Sequence, residues 1–149
     1  MGNEFTVNKD SYTIADLIMI SGLSDRSIRN HLSAGLLKGD NSSGKWQFSA
    51  DDIAAWMDHP SVRPGILAKR NALVYDFMAD GRKKESRICI VLDLPVEGIR
   101  AMNYFCKSIS EGDFSNIRFN FDGQFGMSRV MLEGDVGQVL SLVNGYYAK

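Results

Sequence analysis

The sequence predicts an α+β protein whose first half is helical and whose second half combines helices with strands. Apolar residues recur at spacings of three and four in the segments 14–20, 25–34, 50–57 and 64–78, which is the period of an α-helix. The segments over 87–94 and 117–132 are instead rich in β-branched and aromatic residues, as strands are. The 149-residue chain is 44% hydrophobic and 23% charged, which is typical of a globular protein.

Two short helices are predicted at the start of the first half. Thr13 is placed to cap a helix over 14–20, and Asp16 completes a capping box with it. Ser24 is placed to cap a second helix over about 25–34. Each helix is followed by a glycine, which favours a left-handed turn at the C-terminus.

A small hairpin and a third helix follow. The polar stretch KGDNSSGKWQF over 38–48 is rich in turn-forming residues and predicts a hairpin. Ser49 then caps a helix predicted over about 50–57. We expect these elements to form one unit over 12–60, preceded by an N-terminal tail over 1–11.

A fourth helix is predicted from Pro64 to about Asp80, within a linking segment over 61–84. Its apolar residues form a stripe at helical spacing. We expect this stripe to pair with a second copy of the chain, and docking on the body of the same chain is the alternative. The stripe consists of Ile66, Leu67, Leu73, Val74, Phe77 and Met78.

The segment over 85–149 predicts the element order β-α-β-β-α, which is a ferredoxin-like unit lacking its last strand. RICIVLDL at 87–94 is predicted to be a buried strand. The turn between the two later strands is expected at 122–125, and the last helix at 136–147. A sheet of three strands has open edges, and an open edge favours pairing with a second copy.

Two short helices joined by a tight turn and followed by a hairpin and a third helix make a winged helix-turn-helix. The second helix of such a unit fits the major groove of DNA, where Arg can bond guanine and Asn can bond adenine. Solvation of an ordinary polar helix face is the alternative interpretation. The candidates for base edges are Arg26, Ser27, Asn30 and His31, and the candidates for phosphate are Arg29, Lys38 and the hairpin residue Lys45.

The stretch YTIADLIMISGLSDRSIRNHLSAGLL resembles the opening of the MerR regulator family and of the related excisionase-type DNA-binding domains. KWQFSADDIAAWM resembles their wing and following helix, so that the resemblance covers about 12–58. The sequence departs from the family at Asn30-His31, where MerR proteins usually carry two Tyr, and at Gln47, where both relatives usually carry Arg. Trp46 has two interpretations, packing of the wing onto the domain or contact with DNA sugar.

The resemblance implies a small bacterial or phage-type transcription regulator that binds double-stranded DNA as a homodimer. An excisionase-like architectural protein that bends DNA, and a protein-interaction module that does not contact DNA, are the alternatives. A small-molecule effector is left open. The residues assigned to DNA binding are Thr13, Ser24, Arg26, Ser27, Arg29, Asn30, His31, Lys38, Lys45, Trp46 and Gln47.

Composition argues against several other classes of protein. The net charge of −1 gives no global basic signature, although a local basic patch is enough for nucleic acid. We find no spacing of nucleophile, base or metal ligands that predicts an enzyme, and we expect no cofactor. No signal peptide or membrane span is recognised, so a cytoplasmic location is expected. Cys89 and Cys106 are expected to be reduced and buried, with a disulfide or redox role as the alternative.

Overall fold

The computed structural model of the protein describes residues 11–95, 98–112, 114, 116–124 and 127–148. Within these residues it has six helices and a three-stranded antiparallel sheet, so the fold is α+β, as predicted. Most of the predicted tail, and Phe125 of the predicted turn, lie outside the described residues. The helices are α1 (Ile14–Ser21), α2 (Asp25–Ser33), α3 (Ala50–Asp58), α4 (Arg63–Ala79), α5 (Gly98–Glu111) and α6 (Val136–Tyr147), and the strands are β1 (Arg87–Pro95), β2 (Arg118–Gln124) and β3 (Met127–Asp135).

The predicted caps of the first half are present. The hydroxyl of Thr13 accepts a hydrogen bond from the backbone N–H of Asp16, and the Asp16 carboxylate accepts one from the N–H of Thr13. Ser49 and Asp52 make the same reciprocal pair at the start of α3. These caps satisfy backbone N–H groups that the first turn of a helix leaves without partners, so local sequence fixes where both helices begin.

The apolar residues of α4 form two stripes and not the single stripe that the sequence predicted. Ile66 and Leu73 face the protein's own core and are 0% and 4% exposed. Val74 and Met78 lie on the other stripe and are 37% and 76% exposed, and Tyr75 between them is 71% exposed. Successive residues of a helix are about 100° apart, so these two sets diverge to different sides. Ile66 and Leu73 are therefore unavailable for pairing with a second copy.

The sheet has the order β1-β3-β2, with both pairings antiparallel. β1 is thus an edge strand, and the prediction that it is buried was wrong. Only Leu94 of this strand is buried, whereas Val91 is 51% exposed. A uniformly apolar run is typical of a central strand, which is why the sequence misled us here.

The two later strands are longer than predicted. Asp122 pairs with Arg129, and Gln124 pairs with Met127. Asp122 and Gln124 therefore belong to β2 and not to a turn. The predicted turn over 122–125 was therefore wrong in its position, because the ladder continues as far as Gln124 and Met127.

The two faces of the sheet have opposite character. One face carries apolar residues such as Phe119, Leu132 and Ile90, and it packs against α5 and α6 through Phe105 and other core residues. The other face, which we call the polar face, carries Asn120, Asp122, Arg129, Glu133 and Asp93. The alternation of side chains along each strand produces this division.

The first half of the chain packs against this sheet. Helix α1 contacts β2 and α5, whereas α3 contacts β2 and α4 contacts β3. Buried apolar residues from both halves form one continuous hydrophobic cluster, with Tyr12 and Trp56 from the first half and Phe105 and Tyr146 from the second among its largest members.

Hydrogen bonds on the polar face join the two halves. Asp122 is 4% exposed and accepts two hydrogen bonds from Arg63, at 3.0 and 2.8 Å. Arg70 donates a third bond of 3.0 Å to Asp122, so both arginines of α4 are held on β2. Asn120 of β2 donates to the carbonyl oxygen of Ser21 at the end of α1.

Both cysteines are free thiols. Cys106 is buried as predicted, and burial, reinforced by the nearby Asp16 carboxylate, raises its pKa to about 12. Cys89 is only half-buried, because it lies on the edge strand. Partial burial and Glu133 raise the pKa of Cys89 above its ordinary value.

Candidate nucleic-acid interface

Helix α2 is anchored to the protein by a narrow apolar side. Ile28 is fully buried, and Leu32 packs half-buried against the same core. The helix begins where Ser24 accepts a hydrogen bond from the backbone N–H of Ser27, at 3.1 Å. Gly22 just before it has a φ of 80°, a left-handed conformation that allows the sharp change of direction after α1.

The opposite side of α2 is exposed and polar. Arg26 and Asn30 are one turn apart, and both are exposed. Arg29 is also exposed and donates to Asp25 at 3.0 Å, an ion pair within the helix itself. Arg26 makes no ion pair with any described residue, so its guanidinium is available to a partner molecule.

Ser33 also lies on this exposed side and was not among the predicted contact residues. Ser33 follows Arg26 by seven residues and is exposed, so it lies on the same line of the helix two turns further on. Positions 26, 30 and 33 are spaced by four and three residues, which places them on one side of a helix, and this spacing could have identified Ser33.

His31 is turned toward the protein and away from the exposed row. Its Nδ1 accepts a hydrogen bond from Nε1 of Trp56, at 3.0 Å. Partial burial, and to a smaller degree the neighbouring His59, lower the pKa of His31 below its ordinary value of 6.5. The His31 side chain therefore favours the neutral form and links α2 to α3. His31 was predicted to contact DNA, whereas the structure has it holding α2 in position.

Three other predicted contact residues also make hydrogen bonds within the fold. The hydroxyls of Thr13 and Ser24 are used as helix caps, as described above. Ser27 is half-buried, and its hydroxyl accepts a hydrogen bond from the Ser24 hydroxyl. The exposed predicted residues of α2 are thus reduced to Arg26, Arg29 and Asn30.

The predicted hairpin is present in a minimal form. Asp40 and Gln47 exchange two backbone hydrogen bonds, of 2.9 and 2.8 Å. Gly44 has a φ of 96° and closes the turn with a bond to the carbonyl oxygen of Asn41. The Asp40 carboxylate accepts from the N–H of Ser42, a bond that lowers the pKa of Asp40 below its usual value.

The tip of this hairpin is exposed throughout 41–45, and Lys38 before it is exposed as well. Neither Lys38 nor Lys45 makes an ion pair with a described residue. Trp46 is half-buried and stacks on Phe48, with ring centroids 6.1 Å apart and planes within 9°. This stacking favours the interpretation in which Trp46 packs the hairpin onto the domain, whereas Gln47 beside it is exposed.

A groove of about 440 Å³ lies between α1, α4 and β2. Apolar residues such as Ile18, Met19 and Leu73 line it, together with the charged residues Lys69 and Asp76. Its size is within the range of small-molecule sites in proteins.

No group of three or more His, Cys, Asp or Glu in the described ranges is arranged to hold a metal ion. None of the helices described for this chain combines the length and the apolar character needed to cross a bilayer.

No family model, no curated protein and no solved structure matches this chain.

Proposed function

We propose that the protein is a DNA-binding transcription regulator that acts as a homodimer through a winged helix-turn-helix over 12–60. The observation that carries this proposal is the exposed side of α2. Arg26 and Asn30 stand on a helix that Ile28 and the Trp56–His31 hydrogen bond hold in place. A rigid helix that offers unpaired polar groups to solvent is suited to enter a major groove, which accepts one helix.

The roles of the individual residues follow from their chemistry. Arg26 can bond guanine through two N–H groups, and Asn30 can bond adenine through its amide. Arg29, Lys38 and the hairpin residue Lys45 are exposed cations suited to phosphate oxygens. Phosphate contacts fix the position of the protein on the duplex, and base contacts give it sequence preference.

Homodimer formation follows from the small number of these cations. A single unit with three or four phosphate contacts binds loosely and loses affinity steeply as salt rises. Two copies that contact successive major grooves, about 34 Å apart, combine their affinities on one duplex.

The second half is proposed to be a dimerisation or sensing domain of ferredoxin-like topology without the last strand. Its strand order β1-β3-β2 with antiparallel neighbours supports this assignment. A small-molecule effector stays a prediction, and the groove between α1, α4 and β2 is the site we assign to it. A ligand there would contact both halves and change the spacing or angle between the two recognition helices of the dimer.

The proposal is tested by selecting bound duplexes from a random library at low salt and measuring affinity for the selected sequence by fluorescence anisotropy. Arg26→Ala should weaken binding to the selected duplex by about 1–3 kcal/mol and change affinity for random duplex much less. Arg82→Ala is the matched control. Arg82 is also exposed, and its substitution removes the same charge at a position outside α2.

Each remaining outcome of this experiment has a defined meaning. Equal losses on both duplexes for Arg26→Ala would refute base recognition by this residue. Failure of the wild-type protein to bind any duplex at low salt would contradict the proposal and favour a protein-interaction module. A large bend angle in circularly permuted duplexes would favour an architectural role of the excisionase type.

A further inference from the structure

The outer edge of β1 is open and apolar. No other strand of the described ranges pairs with this edge, so its backbone N–H and C=O groups lack sheet partners. The strand carries five consecutive apolar residues over 88–92, and Val91 among them is 51% exposed. Proteins usually protect such an edge with charges, a bulge or a covering element, because it otherwise pairs with another chain.

The charges of β1 are arranged symmetrically about Ile90. Arg87 lies three residues before Ile90 and Asp93 lies three residues after it. When two antiparallel copies of β1 are related by a two-fold axis at Ile90, each Arg87 stands opposite Asp93 of the partner subunit. Opposite charges across a strand pair stabilise its register, and the apolar residues between them also meet.

We propose that two copies of the chain pair through β1 in this register and form one continuous six-stranded sheet. Arg87 already bonds Glu133 within its own chain, and Asp93 bonds Arg129. The pairing extends these bonds into rows of alternating charge across the interface, with Arg87 beside Asp93 of the partner subunit. Ile88 meets Leu92 of the partner subunit on the apolar face of the sheet.

This inference rests on the proposed function only for the purpose of the dimer, which is to contact two half-sites on one duplex. Because a two-fold axis of this kind is perpendicular to the sheet, the polar faces of both copies lie on the same side. Each N-terminal half is held on that face through Asp122. Five spacings of about 4.8 Å separate the two β2 strands by about 24 Å. The N-terminal halves thus sit at opposite ends of the sheet, so the two copies of α2 belong to separate units, as binding to two half-sites requires.

The exposed stripe of α4 is the competing surface for a second copy. It consists of Val74, Tyr75 and Met78 and carries no open backbone groups, since its N–H and C=O groups are bonded within the helix. It also lacks the symmetric pair of opposite charges that β1 provides. We therefore assign the interface to β1, and the stripe of α4 supplies the control variant.

The first test measures the mass of the protein in solution without DNA, by sedimentation equilibrium from 1 to 100 µM. The proposal predicts a dimer, with a dissociation constant raised at least tenfold by Val91→Lys and unchanged by Val74→Lys. Val91 is already half exposed in the single chain, so the variant keeps its fold, which circular dichroism checks. A wild-type protein that stays monomeric, or a dimer that only Val74→Lys weakens, overturns the proposal.

The second test checks the register through the cysteines. In the proposed register, residue 91 stands opposite Cys89 of the partner subunit, whereas the two Cys89 residues are offset diagonally, beyond the reach of a disulfide. Mild oxidation should therefore give a covalent dimer for Val91→Cys and none for the wild-type protein. Adding Cys89→Ser to that variant should abolish the cross-link. Cross-linking of the wild-type protein through Cys89, or none for Val91→Cys, would overturn the register.

Since both tests use protein alone, their failure is separate from failure to bind DNA. A chain that dimerises as predicted and binds no duplex would contradict the proposed function and leave the interface standing. A chain that binds DNA and never dimerises through β1 would overturn the interface and leave DNA binding standing.

Discussion

Removal of the Asp122 carboxylate should cost far more stability than removal of an exposed carboxylate on the same face of the sheet. The Asp122 side chain is 5% exposed and accepts from Arg63 and Arg70, whose side chains are 16% and 17% exposed. Asp122→Ala removes the carboxylate that accepts three hydrogen bonds from these two largely buried guanidinium groups. The cost of removing one partner from a buried ion pair is about 3–5 kcal/mol.

We expect a loss of about 3 kcal/mol in the free energy of unfolding, at the lower end of that range, because each guanidinium keeps some contact with solvent. Equilibrium unfolding in urea measures this loss. With a slope of about 2 kcal/mol per molar urea, the midpoint should fall by about 1.5 M.

Asp93→Ala is the matched control for this prediction, measured with dilute protein that sedimentation shows to be monomeric, because Asp93 also lies in the proposed β1 interface. Asp93 also accepts two hydrogen bonds from one arginine, Arg129, at 2.7 and 2.9 Å. Both side chains of this pair are exposed, by 38% and 46%, and exposed ion pairs contribute little to stability. The midpoint for Asp93→Ala should therefore shift several times less. Equal shifts for the two variants would refute the claim that Asp122 anchors α4 to the sheet.

Three further variants test other parts of the account. Ser49→Ala removes the cap of α3 and should cost about 1 kcal/mol in urea unfolding, whereas a cost near zero would contradict the capping role. The pKa of His31 is lowered in the folded protein, so the unfolded chain takes up the proton first and stability falls as pH drops below 6.5. The asparagine of His31→Asn has no titratable group, so the difference in free energy of unfolding between wild type and this variant should shrink from pH 7.5 to pH 5. A constant difference would contradict the lowered pKa of His31. Lys45→Ala should weaken binding to all duplexes alike and lower the magnitude of the salt slope by about 1, and an unchanged slope would exclude a phosphate contact.

Features fixed by neighbouring residues could be predicted from the sequence. The cap at Thr13 was identified because Asp16, which completes it, lies only three positions further along the chain, and the cap at Ser49 because serine stands directly before the predicted helix. The left-handed glycines after α1 and α2 were predicted for the same reason. Helix starts and ends are decided by this local chemistry.

Features fixed by distant contacts could not be predicted. The sequence gives no indication that Trp56 holds the ring of His31, 25 residues away. It also does not tell which apolar residues of α4 the rest of the chain covers, so Leu73 and Val74 were assigned to one stripe although they face different directions. The run over 88–92 was interpreted as a central strand, and the structure has it at an edge.

The central claim is that the exposed side of α2 binds DNA. Its most direct test is a titration of ¹⁵N-labelled protein with the selected duplex, followed by amide chemical shifts. The account predicts that the largest shifts fall on α2 around Arg26 and Asn30, with smaller ones at the hairpin tip near Lys45. Shifts confined to α6 or to the strands, with α2 unchanged at saturation, would contradict it.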